Sequence, residues 1–192
     1  MGRKDQIVET AISLLARKGV KGFTIRNLSQ EVGVTDGAVY RHFTGKQAIM
    51  EEILGRFEDL SHFEEGQAEA PLTMIEHFLQ DRYRRFEENP ELARLLLLNN
   101  PFQSHPELMS RFRRMMHRHF QVVESYLNAG RQDGSIVNHI SPLSLFRLIV
   151  GPFRLIVTQW LFSHLEFDLH ATGMRQWQDT LQLIQTGVPH AG

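Results

Sequence analysis

Apolar residues recur at steps of three and four along nearly the whole chain and alternate nowhere, so the spacing admits one kind of secondary structure. Ile7, Ala11, Leu14 and Leu15 set the pattern. Leu72, Ile75, Phe78, Leu79, Tyr83 and Phe86 continue it, followed by Leu108, Phe112, Met115, Met116, His119, Val123 and Leu127. Met174, Trp177, Leu181, Ile184 and Val188 close it. Stops and caps fall between these runs: Gly19, Thr24 as an N-cap, Gly33, Thr35 as a second cap, Gly45-Lys46 and Pro71. Asn89-Pro90, the SHPE run at 104–107 with capping-box spacing, and Ser141-Pro142 start further helices. Gly151-Pro152 predicts a bend within its helix, and EEGQAE at 64–69 a bend between helices. The expectation is an all-α chain: a three-helix head over 1–46 and a larger helical body over 47–192.

With 42% hydrophobic residues the chain can fill a core. It has no cysteine, which excludes disulfides and thiolate metal sites and suits a reducing cytoplasm. Charges around spaced apolar residues in 1–19 exclude a secretory signal, and Arg147, Arg154 and Gln159 interrupt the most apolar stretch, against a membrane span. A cytoplasmic protein without a membrane partner is expected. Ten histidines invite a metal, yet none stand four apart, and His117 and His119 cannot point the same way on a helix. No nucleophile–base pair, phosphate loop or cofactor motif is present, so neither an enzyme nor a cofactor is expected.

Charge is distributed unevenly. Residues 1–50 hold eight basic against four acidic residues, a net +4, which leaves −5 on the remainder. A basic head on an acidic body points to a polyanionic partner for the head. Two short helices joined by Gly33-Val34 have the form of a helix-turn-helix. Ile25, Leu28 and Val32 face the core from the first, and Val39 and Phe43 from the second. Asp36, Gly37, Ala38, Tyr40, Arg41 and His42 are left facing outward. A helix with small residues at its N-terminus can approach base edges in a major groove, which explains a glycine at 37 that costs the helix about 1 kcal/mol.

The stretch FTIRNLSQEVGVTDGAVYRHFTGKQAI resembles the DNA-binding signature of the TetR family of bacterial regulators. Thr24, Leu28, Gly33-Val34, Thr35, Gly37, Tyr40, Phe43 and Lys46 occupy the positions of that pattern. The resemblance implies a dimeric, ligand-responsive repressor on palindromic double-stranded DNA. It places Thr35, Gly37 and Ala38 close to the DNA and Tyr40, His42 and Lys46 on phosphates, with Thr24 and Arg26 also among the expected contacts. Arg41 reads a guanine or holds a phosphate. Asp36 departs from the pattern; it either accepts from a cytosine amine or caps the helix, and the cap is favoured.

In the body, Phe57, Phe78, Phe112, Met116, His119 and Phe153 are either plain core or the lining of a cavity for a small apolar effector. Arg147 and Arg154, seven apart on an apolar helix, either pair with a carboxylate, across a dimer included, or counter an anionic group of the effector. The stripe of Met174, Trp177, Leu181 and Ile184 is expected to form a four-helix homodimer interface with the helix at 142–165. The competing expectation is a DNA-binding dimer without a small-molecule ligand, acting as an architectural or protein-recruiting factor. A cavity in the body separates the two.

Overall fold

A computed structural model describes residues 2–61 and 69–186. Nine helices follow one another in the described residues: α1 (Arg3–Gly22), α2 (Ile25–Val32), α3 (Asp36–Tyr40), α4 (Lys46–Ser61), α5 (Pro71–Glu88), α6 (Pro90–Leu97), α7 (Pro106–Gln132), α8 (Pro142–Phe162) and α9 (Leu169–Ile184). The fold is all-α. An isolated bridge between Ile136 and Gln185 is its only extended pairing among the described residues. Most of the 64–69 bend, the side chain of Leu60 and Val188 lie outside the described residues.

Most predicted boundaries hold, for the expected reasons. Gly19 takes a left-handed φ of 64° and breaks α1 one turn before its end. Thr24 accepts from the Asn27 amide at 3.1 Å, and Gly33, at φ 75°, closes α2. Ser141 caps α8 on the Ser144 amide, and Asp168 caps α9 on that of Ala171. Two expectations fail locally. α7 starts at Pro106, so His105 rather than Ser104 precedes its first turn. Asn89 makes no side-chain capping bond. Pro152 lies inside α8, which runs as one helix through Gly151-Pro152.

The chain divides into two compact units, each built from two segments. The first comprises Met1–His62 and Asn89–Met115, the second Phe63–Glu88 and Met116–Gly192. In the first, α1 packs on α2, α4 and α6, burying Ile7, Leu14, Phe23, Leu28, Ile49 and Ile53. From α6 come Leu92, Ala93 and Leu95, and Ser13 Oγ of α1 donates to Glu91 Oε1 at 2.9 Å.

In the second unit α9 lies between α5 and α8. Gly173 makes the α5 contact possible, because a Cβ there would sit 2.1 Å from Tyr83 Cζ. The Tyr83 ring is buried, which pushes its phenol above the ordinary range, and it packs 4.9 Å from the ring of Phe153. α8 is long and apolar enough to pass a test for a membrane span, but one side of it, with Leu145, Ile149, Ile156, Val157 and Trp160, is buried in this unit.

Candidate DNA interface and effector-binding residues

Two buried side chains orient the short α3. Val39 is fully buried and Phe43 nearly so, four residues apart, and both face the core made by α1, α2 and α4. Thr35 caps the helix on the Ala38 amide at 3.2 Å. Its opposite side is open: Thr35, Asp36, Gly37, Arg41, His42 and Lys46 are exposed, Ala38 is half-buried, and Tyr40 is 56% exposed. Arg26 on α2 is exposed as well, whereas Thr24 is half-buried in its capping role. α3 ends at Tyr40, so Arg41 and His42 sit on the turn after it, where amides still bond back to Gly37 and Val39.

Nothing in the fold asks for glycine at 37. A Cβ there would find only Thr35 Oγ1, 3.9 Å away.

The cations of this region do different jobs. Arg17 and Lys18 both bond Glu31, which ties α1 to α2; the Lys18 bond first, then Arg17, holds the Glu31 carboxyl below its usual range. Lys4 pairs with Glu52 and Arg56 with Asp5 at 2.8 Å, tying α1 to α4. Arg111 of α7 in turn grips Glu58 of α4, its Nε 2.9 Å from Oε1. Arg26, Arg41 and Lys46 remain exposed toward the α3 side, Lys46 Nζ lying 5.6 Å from the Phe23 ring.

The expected effector residues fall into separate clusters. In the first unit Phe57 meets Phe102 edge-on at 5.9 Å, and Phe112 meets the same ring at 5.8 Å. In the second, Phe78 lies edge-on to His119 at 6.2 Å with the Arg82 guanidinium 5.4 Å from its ring, and Met116 is half-buried. Arg82 itself pairs with Asp81. Burial works against the Asp81 charge, but bonds from Arg85 and Arg82 outweigh it and hold that carboxyl low. Phe153 belongs elsewhere, between Tyr83 and Phe86, beside a void of about 10 Å³ that is too small for an effector. Sequence reading missed the arginine cluster around Asp81, although RYRR after an aspartate was its visible sign.

Two expectations need correction. Arg147 and Arg154 are not buried: both are exposed, on the outward side of α8 with Gly151, and neither forms an ion pair among the described residues. Two residues of the α9 stripe, Trp177 and Ile184, are core of their own unit. Trp177 is 2% exposed, with Nε1 donating to Glu76 Oε2 of α5 at 3.0 Å; Ile184 is fully buried, and Met174 and Leu181 are half-buried. Spacing of three and four marks a packing side without naming what packs there. In the second unit the large apolar side chains left in solvent, among the described residues, are instead Leu143, Leu148, Leu155 and Phe162 on α8, Leu165 beyond it, and Leu183 on α9.

A recognition helix held by two core residues, with a small, polar, cation-flanked outer side, defines a helix-turn-helix DNA-binding regulator. Residues 7–53 match the profile of bacterial regulatory proteins of the tetR family, and residues 50–186 that of the YsiA-like protein C-terminal region. The chain belongs to the TetR family of bacterial transcription regulators, which act by binding DNA and not as enzymes.

Its similarity to single members extends over most of its length. It is 23% identical over 192 residues to the fatty acid metabolism regulator protein of Bacillus subtilis, covering 95% of this chain and 94% of that one. It is 25% identical over 175 residues to a probable acrEF/envCD operon repressor of Escherichia coli, covering 87% and 80%. The crystal structure of the regulator FadR from Bacillus subtilis in complex with stearoyl-CoA superposes with a TM-score of 0.74 at 20% identity, covering 92% of this chain and 97% of that one.

Proposed function

We propose that the protein is a homodimeric repressor that binds a palindromic operator and lets go of it when a long-chain acyl thioester occupies its body. The observation that carries the DNA part is the division of residues 35–46 into a buried pair, Val39 and Phe43, and an exposed DNA-facing set. Thr35, Gly37 and Ala38 approach the bases. Tyr40, His42, Lys46, Thr24 and Arg26 contact the backbone, and Arg41 reads a base.

The outward side of α8 supplies the dimer contact. Leu148, Leu155 and Phe162 lie seven apart, on one side of the helix, and the last two are 58% and 67% exposed. A second copy of the same helix pair covers them and sets the two recognition helices about 34 Å apart, one turn of DNA. Arg147 and Arg154 flank that apolar line, so we assign them to the contact between copies rather than to the effector.

The effector class rests on the name of the Bacillus relative and on the stearoyl-CoA complex of the structural one. An acyl chain suits those of the residues first singled out that cluster in the second unit: Phe78, Met116 and His119. Release follows from the ion pairs of α4, which grip α1 through Lys4–Glu52 and Arg56–Asp5 and α7 through Arg111–Glu58. A ligand that favours another placing of α7 thereby moves α1 and α3; one that binds both placings equally shifts nothing.

The test selects duplexes from a random pool with the purified protein, then adds stearoyl-CoA or free CoA. Enrichment of a palindrome, bound by a dimer and released by stearoyl-CoA alone, is expected. A duplex that stays bound in stearoyl-CoA overturns the effector, and enrichment of an asymmetric half-site overturns the dimer.

A further inference from the structure

The outward set of α3 contains one residue of the wrong sign, and its contacts explain it. Asp36 opens the recognition helix and is exposed, yet its Oδ1 accepts from Ser29 Oγ on α2. Ser29 is among the few polar residues buried in the chain, at 2% exposure. Its hydroxyl also lies 2.9 Å from the Arg26 carbonyl. One proton serves one acceptor at a time, and the charged carboxylate is the stronger. Asp36 therefore does not cap α3; Thr35 does that.

The geometry asks for such a bond. Val39 is the only buried residue of α3, and Phe43 lies past the end of the helix. One buried side chain leaves the helix free to turn about that contact; Asp36, three residues before Val39 and about 60° round the helix from it at 3.6 residues per turn, supplies a second point. The helix is five residues long, so few other contacts can do so.

We propose that the Ser29–Asp36 bond is a latch that sets the roll of the recognition helix, and that the Asp36 charge also weakens phosphate attraction to every duplex. Asp36 and Ser29 are then positioning residues. The latch raises specificity without reading a base, since roll decides which side chains reach the base edges, while the carboxylate lowers the phosphate attraction of all sequences alike.

Three variants of the full chain separate the two roles: Ser29→Ala removes the latch and keeps the charge, Asp36→Asn keeps an acceptor for Ser29 and removes the charge, and Asp36→Ala removes both. Each is titrated on a duplex selected by the wild type and on its scrambled version, over a salt series. Ser29→Ala should bind the selected duplex about tenfold more weakly and the scrambled one as before, with an unchanged melting temperature within a few degrees. Asp36→Asn should bind both duplexes more tightly and steepen both salt slopes by up to about 0.9. Asp36→Ala should combine both effects.

If Ser29→Ala keeps the wild-type ratio between the two duplexes, the latch is refuted. An unchanged scrambled affinity and salt slope in Asp36→Asn refutes the repulsion. Loss of the selected duplex by Asp36→Asn, with Ser29→Ala intact, makes Asp36 a base reader and overturns the proposal as a whole.

Discussion

Replacing Gly37 by alanine should move stability and DNA affinity in opposite directions. The added Cβ meets no atom of the chain closer than Thr35 Oγ1 at 3.9 Å, an ordinary contact, and the backbone there is not left-handed. Alanine in a helix is favoured over glycine by about 1 kcal/mol, so the variant should melt about 2–4 °C above the wild type for a chain of this size. The same methyl group projects from the side of α3 that enters the groove. Crowding a packed contact by one carbon costs about 1–3 kcal/mol, which is about a 5- to 150-fold loss of affinity for a selected duplex. Thermal melting by circular dichroism and fluorescence anisotropy on a labelled duplex measure the two. A variant that binds as tightly as wild type shows that DNA does not come close to position 37. One that melts lower shows that the fold itself needs the glycine, and the argument from open space is then wrong.

Gly173→Ala should do the reverse in the body: its Cβ would lie 2.1–2.6 Å from three atoms of the buried Tyr83 ring, and a net loss of about 1–2 kcal/mol should outweigh the helix gain. Leu155→Glu should yield folded monomers by sedimentation with weak DNA binding, whereas Trp177→Asp should unfold the second unit and not merely split a dimer; a folded monomeric Trp177→Asp would return that stripe to the interface. Lys46→Ala should weaken all duplexes alike and flatten the salt slope by about 0.9, while Arg41→Ala should also blur base preference in a repeated selection. Arg154→Ala should lower dimer affinity and leave release by stearoyl-CoA at the wild-type concentration; a shifted release curve would make it an effector contact.

Helix boundaries were readable because caps and breakers act locally: Thr24, Gly33, Thr35 and Ser141 each bond within three residues or turn on their own φ. The recognition helix was readable for a related reason, since Val39 and Phe43 identify its buried side by spacing alone. What the sequence concealed was the identity of partners across distance. Trp177 shows the same spacing whether it meets Glu76 of its own chain or a second copy. Arg147 and Arg154 sit among apolar letters on an α8 that is buried on one side only. Asp36 looked like a cap because aspartate often is one, and its bond to Ser29 depends on how α2 and α3 pack together.

The first compact unit is closed by α6, a segment that the chain reaches only after α5. The reading head is therefore not a module that recombination can lift out with a single cut. A gene fusion carrying only the first 46 residues would bring α1 to its new host without Leu92, Ala93, Leu95 and the Ser13–Glu91 bond. The recipient's own α6 would have to fit the incoming α1. New operator specificity in such a lineage is easier to reach by changing the few outer residues of α3 than by shuffling heads. During synthesis, too, the nascent head waits for residues up to about Met115 before its last side is covered.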